Sequence, residues 1–400
     1  MKKILFLDEH KVVNYAGGVE KVICNFSNEF VNRGFEIAFV CMDKEQGRPF
    51  YPLDSRVKFV NLWYSYGDSV FGGNVWLWKK IQKELLRTVA GSRMVFMGRI
   101  LEDPKKKYFY DSFVVRLKNF MKEWQPDMII AISVDGAALA HGAIENEYDL
   151  PVIAMCHTDP ARFVPDFTAE QREAWKKCCC VQVLMESFRP VVEALGVKKV
   201  VRIPNAVAQT ADDDIRDVTK CHHRLITVGR IDGSAKRQHL FIEGFARIAA
   251  RYPEWTAHIY GDVANKRYKK RLDRIIASNG LQKRIFFEGV TKDMLRVLRE
   301  SDIFVFPSEY EGMPLALAEA MSAGVPAIGC KDCTAVAELL SGGCGHLAEP
   351  TAEGLADGMA KLIEELSLRQ SFSQAAHERA QSFAEEKIWG QWGQLLDEYV

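Results

Sequence analysis

Short apolar runs alternate with segments of helical period along most of this 400-residue chain, in two successive series. The first opens with "KKILFLD", then a loop "EHKVVNYAGG", then "VEKVICNFSNEFVNRG". In that segment Val19, Val22, Ile23, Phe26, Phe30 and Val31 form one helical stripe, and Gly34 supplies a stop. "FEIAFVCM", "PDMIIAIS", "DLPVIAMC" and "CVQVLM" read as further strands. Strands this uniformly apolar, spaced by helices, predict a parallel sheet covered on both faces.

Residues 206–223, "AVAQTADDDIRDVTKCHH", are polar and acidic and read as a linker or surface excursion. A second series follows: "RLITVGRI", "HLFIEGFARIAARYP", "WTAHIYGD", a basic helix, "RIFFEGV", "KDMLRVLRES", "DIFVFPS", "PLALAEAMSAG" and "VPAIGC". The tail "FAEEKIWGQWGQLLDEYV" predicts a last helix rich in aromatics. The expected organisation is α/β, with two doubly wound domains at 1–205 and 224–382 and a final helix at 383–400. Tandem sheets of this kind set two rows of strand carboxyl ends across a cleft, where ligands of open parallel sheets bind.

Lys+Arg and Asp+Glu cancel at 53 each, so overall charge gives no sign of a nucleic-acid binder. No run nears eighteen apolar residues, and "MKKILFLDEHK" lacks the long apolar core of a signal peptide, so a cytoplasmic protein is expected. Ten cysteines include the adjacent Cys178, Cys179 and Cys180 and the C-x-x-C pair Cys330 and Cys333. Zinc would want a second pair or histidines at matching spacing, so reduced, buried thiols are the better reading. The Asp212–Asp214 triplet contains D-x-D, a metal–sugar motif in some transferases, but in an acidic linker it reads as solvated charge. Residues 76–110 hold nine basic residues against three acidic, interleaved with aromatics. They read either as a surface meeting anionic membrane or an anionic acceptor, or as a solvated helical hairpin with aromatic stems in the core.

Four segments carry candidate chemistry. In "VGRIDGSAKRQ", Arg230 and Lys236 follow a strand and precede a helix, a placement that suits phosphate, although basic loops are common. In "AGGVEK", Gly17 and Gly18 would let backbone N–H groups approach a ligand, or simply form a tight turn. His157 ends the strand in "VIAMCHTDP", as a ligand-facing or a structural histidine. "PSEYEGMPLALAEAMSAG" places Glu311 before a helix and Glu319 inside it, with Pro314 expected in the first turn. If helical throughout, eight residues span about 12 Å, too wide for the ~5 Å carboxylate pair of a retaining glycosidase. The two glutamates are therefore expected to hold different parts of one ligand, with sugar hydroxyls as natural partners.

Together, "PSEYEGMPLALAEAMSAGVPAIG", "VGRIDGSAKRQ", "IPNAV", "AGGVEK" and "FAEEKIWGQW" resemble glycosyltransferase family 4, the retaining GT-B transferases. The resemblance implies a GT-B fold whose last helix crosses back to an acceptor-binding first domain. It implies that His157, Glu311, Arg230 and Lys236 form the catalytic set. Gly17, Gly18, Arg230, Lys236, Glu311, Gly312, Met313, Pro314, Leu315 and Glu319 would bind the nucleotide-sugar donor. Arg230 and Lys236 would neutralise its diphosphate, Glu311 would hold the sugar and Glu319 the ribose, and no metal or other cofactor is expected. Transfer of a hexosyl group, with UDP-sugar favoured, to a glycan or lipid-linked acceptor in surface polysaccharide synthesis follows, in the cytoplasm or at the inner face of the membrane. A GT-B epimerase or hydrolase, and a catalytically silent partner subunit, are the rival readings. Met313 stands where an aromatic residue is common, Arg237 where glycine is frequent, and "CKDCTAVAELL" where glycines are usual.

Overall fold

The computed structural model describes residues 1–15, 17–65, 78, 104–145 and 147–399. Most of the basic 76–110 region therefore lies outside the described residues, and so does the membrane expectation attached to it. Among the described residues no helix is long and apolar enough to cross a membrane.

Two parallel sheets form, as the alternating pattern predicts. The first contains β1 (Lys3–Asp8), β2 (Glu36–Cys41), β3 (Lys58–Asn61), β4 (Met128–Ala131), β5 (Val152–Cys156), β6 (Cys180–Val183) and β7 (Val200–Arg202), in the order β3-β2-β1-β4-β5-β6-β7. The second contains β8 (Arg224–Val228), β9 (Thr256–Tyr260), β10 (Ile285–Gly289), β11 (Ile303–Phe306), β12 (Ala327–Cys330) and β13 (His346–Ala348), in the order β10-β9-β8-β11-β12-β13. The strand order reverses beside β1 in one sheet and beside β8 in the other, so each sheet opens a crevice at those carboxyl ends.

β1 shows why its apolar run is unbroken. It pairs in parallel with β2 and β4, Ile4 lying opposite Ile37 and Met128. Ile4 and Phe6 face a core with Phe26 and Phe30 of the helix Gly18–Asn32, while Leu5 and Leu7 face Phe113, Leu117 and Phe120 of the helix Pro104–Trp124. Each such side chain, fully buried, contributes about 1.5–3 kcal/mol.

The helix Glu385–Asp397 returns to this first core. It buries Ile388, Trp389, Trp392, Leu395 and Leu396, with Phe26 centred 5.5 Å from Trp389 and 4.7 Å from Trp392. The preceding helix Leu366–Ala380 belongs to the second unit, where Ser373 donates to the Gly324 carbonyl.

Residues 206–223 run largely over the surface, as expected, but are tied down at a few points. Val207 bridges to Ala384, and the Thr210 N–H donates to Ser322. Arg216 is buried, paired at 2.8 Å with buried Asp302 and donating to the Ser301 carbonyl. Asp302 also accepts from the backbone of His222 and Arg224. Within a stretch that is largely exposed, Arg216 thus forms one satisfied internal network with Asp302. The Asp212–Asp214 turn does lie near the surface, and Asp214 is engaged by Arg299 at 2.5 Å.

Candidate active site

The loops leaving β1, β5, β8 and β11 bring the sequence-identified residues to the cleft between the sheets. After β8, Lys236 runs its stem along Gly229 and donates to Glu311 at 2.5 Å. Glu311 leaves β11 on the Pro307–Pro314 loop and is largely buried, so this ion pair is screened less than a surface one. Arg230 is half exposed and donates to the Tyr15 hydroxyl at 2.8 Å and to Asp232 at 3.1 Å. Tyr15 lies in the glycine loop after β1, so Arg230 already spans the cleft.

Gly312 is held by close approach. A Cβ there would lie 1.8 Å from the His157 carbonyl oxygen and 3.2 Å from Leu184 Cδ1. Glycine therefore lets the loop of Glu311 press against the end of β5. The His157 Nε2 is buried and has no hydrogen-bond partner among the described residues. Burial holds this imidazole down at about 4, against the upward pull of Asp8, so the ring is neutral at physiological pH.

Met313 is buried, and its sulfur accepts from the Asn205 N–H at 3.2 Å, tying the loop to the "IPNAV" turn. Pro314 is the N-cap residue rather than the first helical one, and the helix runs Leu315–Ser322. The segment before it is a loop, so the helical span of about 12 Å does not apply to Glu311 and Glu319. The two carboxylates take separate partners: Glu319 pairs with Lys21 across the cleft at 3.2 Å. Leu315 and Glu319 line a pocket with Lys21, Ala208, Glu385 and Trp389. Gly18 begins its helix with open space on its Cα, and Gly17 is the N-cap.

Other residues here were given no role by the sequence, or were singled out only as a departure or a thiol pair. Arg237 adopts the left-handed conformation, φ 43° and ψ 39°, which costs a non-glycine residue about 1 kcal/mol or more. It donates to the carbonyls of Pro307 and Ser308 at 2.7 and 2.9 Å, and forms a forked pair with Asp332 at 2.8 and 2.9 Å. These bonds anchor the loop of Glu311, and they connect two departures from the family pattern, Arg237 and the "CKDC" segment. Cys330 and Cys333 are buried there, with thiols pushed up to about 11 and 12 by desolvation, so they are inert. Arg162 joins Glu309 at 2.7 Å across the cleft and lies over Tyr310.

The end of β1 adds Asp8, Glu9 and His10, whose ligating atoms lie within 4.8 Å of one another. The His10 ring donates through Nδ1 to Asp8 at 3.2 Å, which raises its pKa to about 9, so an internal cation already balances the cluster. Burial raises Glu9 to about 7. Glu20 occupies the space over Gly17 and is likewise raised to about 7 by burial, with Arg230 pulling it down. "DEH" after a strand and "VEK" after the glycines were the available signals.

Known proteins resemble this chain in both of its halves. Residues 16–210 match the family model described as Glycosyltransferase Family 4, and residues 214–379 match Glycosyl transferases group 1. An uncharacterized glycosyltransferase of Haemophilus influenzae is 22% identical over 99% of this chain and 100% of its own length. An exopolysaccharide phosphotransferase of Streptomyces coelicolor and a glycosyltransferase of Methanocaldococcus jannaschii are each 29% identical over 213 residues; the matches cover 52% and 46% of this chain, and 22% and 51% of those relatives. Among solved structures, sucrose-phosphate synthase from Thermosynechococcus elongatus superposes with a TM-score of 0.73 at 16% identity, over 100% of this chain and 99% of that one. The lipopolysaccharide outer core galactosyltransferase WaaB gives 0.71 at 18%, over 100% of both chains. Anabaena HepE, solved with UDP and glucose, gives 0.71 at 18%, over 99% of this chain and 100% of that one. With both halves matched in order and two parallel sheets facing one cleft, the chain belongs to the group 1 glycosyl transferases of glycosyltransferase family 4 and has the GT-B fold.

Proposed function

We propose that this glycosyltransferase moves a hexosyl group, with retention, from a nucleotide-diphosphate sugar to a glycan or lipid-linked acceptor in surface polysaccharide synthesis. The observation that carries the reading is the Lys236–Glu311 contact, set against the end of β5 by Gly312. A cation for the leaving diphosphate and a carboxylate for sugar hydroxyls then stand side by side, on a loop that Arg237 anchors. Arg230 adds a second cation, and preorganised positive charge of this kind is the largest single source of catalysis for such a leaving group. The neutral His157 ring suits contact with an uncharged sugar, and Glu319 lies far enough along the next helix to hold the ribose. Attack and departure on one face leave the departing phosphate to take the acceptor proton.

With two arginine and lysine cations for the diphosphate, no metal requirement is proposed. The UDP and glucose bound by HepE favour a UDP-sugar donor. WaaB, a lipopolysaccharide outer core enzyme by name, favours a surface-glycan acceptor. The enzyme would then work in the cytoplasm, at the inner face of the membrane.

A melting-temperature panel of UDP, GDP and ADP, followed by the matching sugars, tests the donor. Proton NMR of the product's anomeric coupling tests retention, and chelator tests metal independence. Donor consumption without any glycosylated product would favour the epimerase or hydrolase. Unchanged cellular glycan in a Glu311→Ala strain would favour the silent subunit.

A further inference from the structure

The helix Lys266–Ser278 buries Tyr268, Leu272 and Ile276 and turns Lys266, Arg267, Lys270, Arg271 and Arg274 to solvent. At 3.6 residues per turn these five cations fall within about 140° of the helix circumference, along about 12 Å of its length. Among the described residues none of the five has an ion-pair partner, because the helix's one acid, Asp273, is held by Lys269 at 2.5 Å. Three pairs of like charge stand four residues apart, 266 with 270, 267 with 271 and 270 with 274, and each opposes the helix. A stripe that works against its own helix calls for an anionic counterpart outside the chain.

Its position narrows the counterpart. The capping residue Asn265 donates through its backbone to the Ile231 carbonyl at 3.0 Å and through its side chain to the Asp232 carbonyl at 3.1 Å. The stripe therefore starts at the lip of the cleft, beside the loop of Arg230. On the adjoining loops Val263 is exposed and Val290 is 75% exposed, the loops being joined by the Gly261 N–H donating to the Gly289 carbonyl at 2.8 Å. Cations with bare apolar groups at one end match a bilayer surface, where headgroup phosphates meet the cations and the aliphatic groups enter the interface. A soluble polyanion would meet the cations but leave the valines unused.

We propose that the solvent face of the helix Lys266–Ser278, with Val263 and Val290 at its cleft end, docks on an anionic phospholipid bilayer. The surface belongs to the second domain, apart from the 76–110 region, and needs no assumption about the reaction. It would present the mouth of the cleft to lipid-borne molecules.

The test is co-sedimentation with phosphatidylcholine vesicles, with and without about 30% phosphatidylglycerol, at about 0.1 M salt. The full chain is expected to bind the anionic vesicles preferentially. Lys270→Gln with Arg274→Gln should weaken that partition about 25-fold, about 5-fold for each cation removed. Both side chains are exposed, so the turnover of a soluble acceptor should stay unchanged, while the melting temperature should hold or rise slightly as two like-charge pairs are relieved. Wild-type binding that ignores lipid charge would overturn the proposal, as would a double variant that binds as well as wild type. Binding to an acidic polysaccharide with none to vesicles would also overturn it.

Discussion

Replacing Gly312 by alanine places a Cβ 1.8 Å from the carbonyl oxygen of His157 and 2.6 Å from its carbonyl carbon. A methyl carbon needs at least 3.0 Å, so the two chains must part by about 3.0 − 1.8 = 1.2 Å. The obstacle is backbone at the end of a central strand, which cannot rotate aside as a side chain would. Overpacking of this kind costs about 1–3 kcal/mol. At about 2–4 °C per kcal/mol for a domain of this size, the melting temperature should fall by about 2–12 °C. The same displacement moves Glu311, the next residue, and an error of about 1 Å in a positioning group costs about 10²-fold in rate. Gly390→Ala is the control, because a Cβ there meets nothing within 4 Å and the residue lies outside the proposed site. Calorimetry with a donor-turnover assay reads both effects. If Gly312→Ala melted and turned over like wild type, the close approach of the two loops would be refuted.

Lys236→Ala should lower turnover at least ~10²-fold, as for loss of a transition-state donor; a near-normal rate would remove Lys236 from the diphosphate. Arg237→Ala gives up the tethers to Pro307, Ser308 and Asp332 and should cost about 1–3 kcal/mol, with reduced turnover because the Glu311 loop loosens. Denaturant titration checks the stability. His157 has a folded pKa of about 4 against an ordinary value of 6.5, so its stabilisation is full above 6.5 and is lost as pH falls towards 4, by up to about 3 kcal/mol. Glu9, raised to about 7, has the opposite sign between 4.5 and 7, so the effect should be read as wild type minus His157→Gln; a difference that is flat from pH 6.5 to 4.5 would contradict it. Trp389→Ala removes a buried ring stacked on Phe26 and should cost about 3–5 kcal/mol in urea unfolding.

Where burial alone decides a residue's identity, the fold was legible. β1, β5 and β11 are central or near-central strands, and continuous apolar runs announce them. β3 was passed over because it is an edge strand, half exposed and carrying Lys58 and Asn61. β13, three residues after a glycine-rich turn, was too short to show a period. In the polar stretch at 206–223, composition cannot tell a solvated arginine from Arg216, which is buried on a partner 86 positions away. The site divides in the same way. Glu311, Lys236 and Glu319 were reached through motif resemblance, whereas Lys21 gains meaning only from Glu319, 298 residues on. Arg237 was noticed as a departure, but its left-handed backbone and the loop it anchors are facts of tertiary structure.

The return of the helix Glu385–Asp397 has a consequence for synthesis. Phe26 and Phe30 are made some 360 residues before Trp389 and Trp392, which cover them. At about 5–20 residues per second, that face stays uncovered for about 20–70 s while the second domain is still being assembled. The first domain is thus made before the helix that seals it, and this exposed aromatic face is where a chaperone or an aggregating neighbour would find the nascent chain.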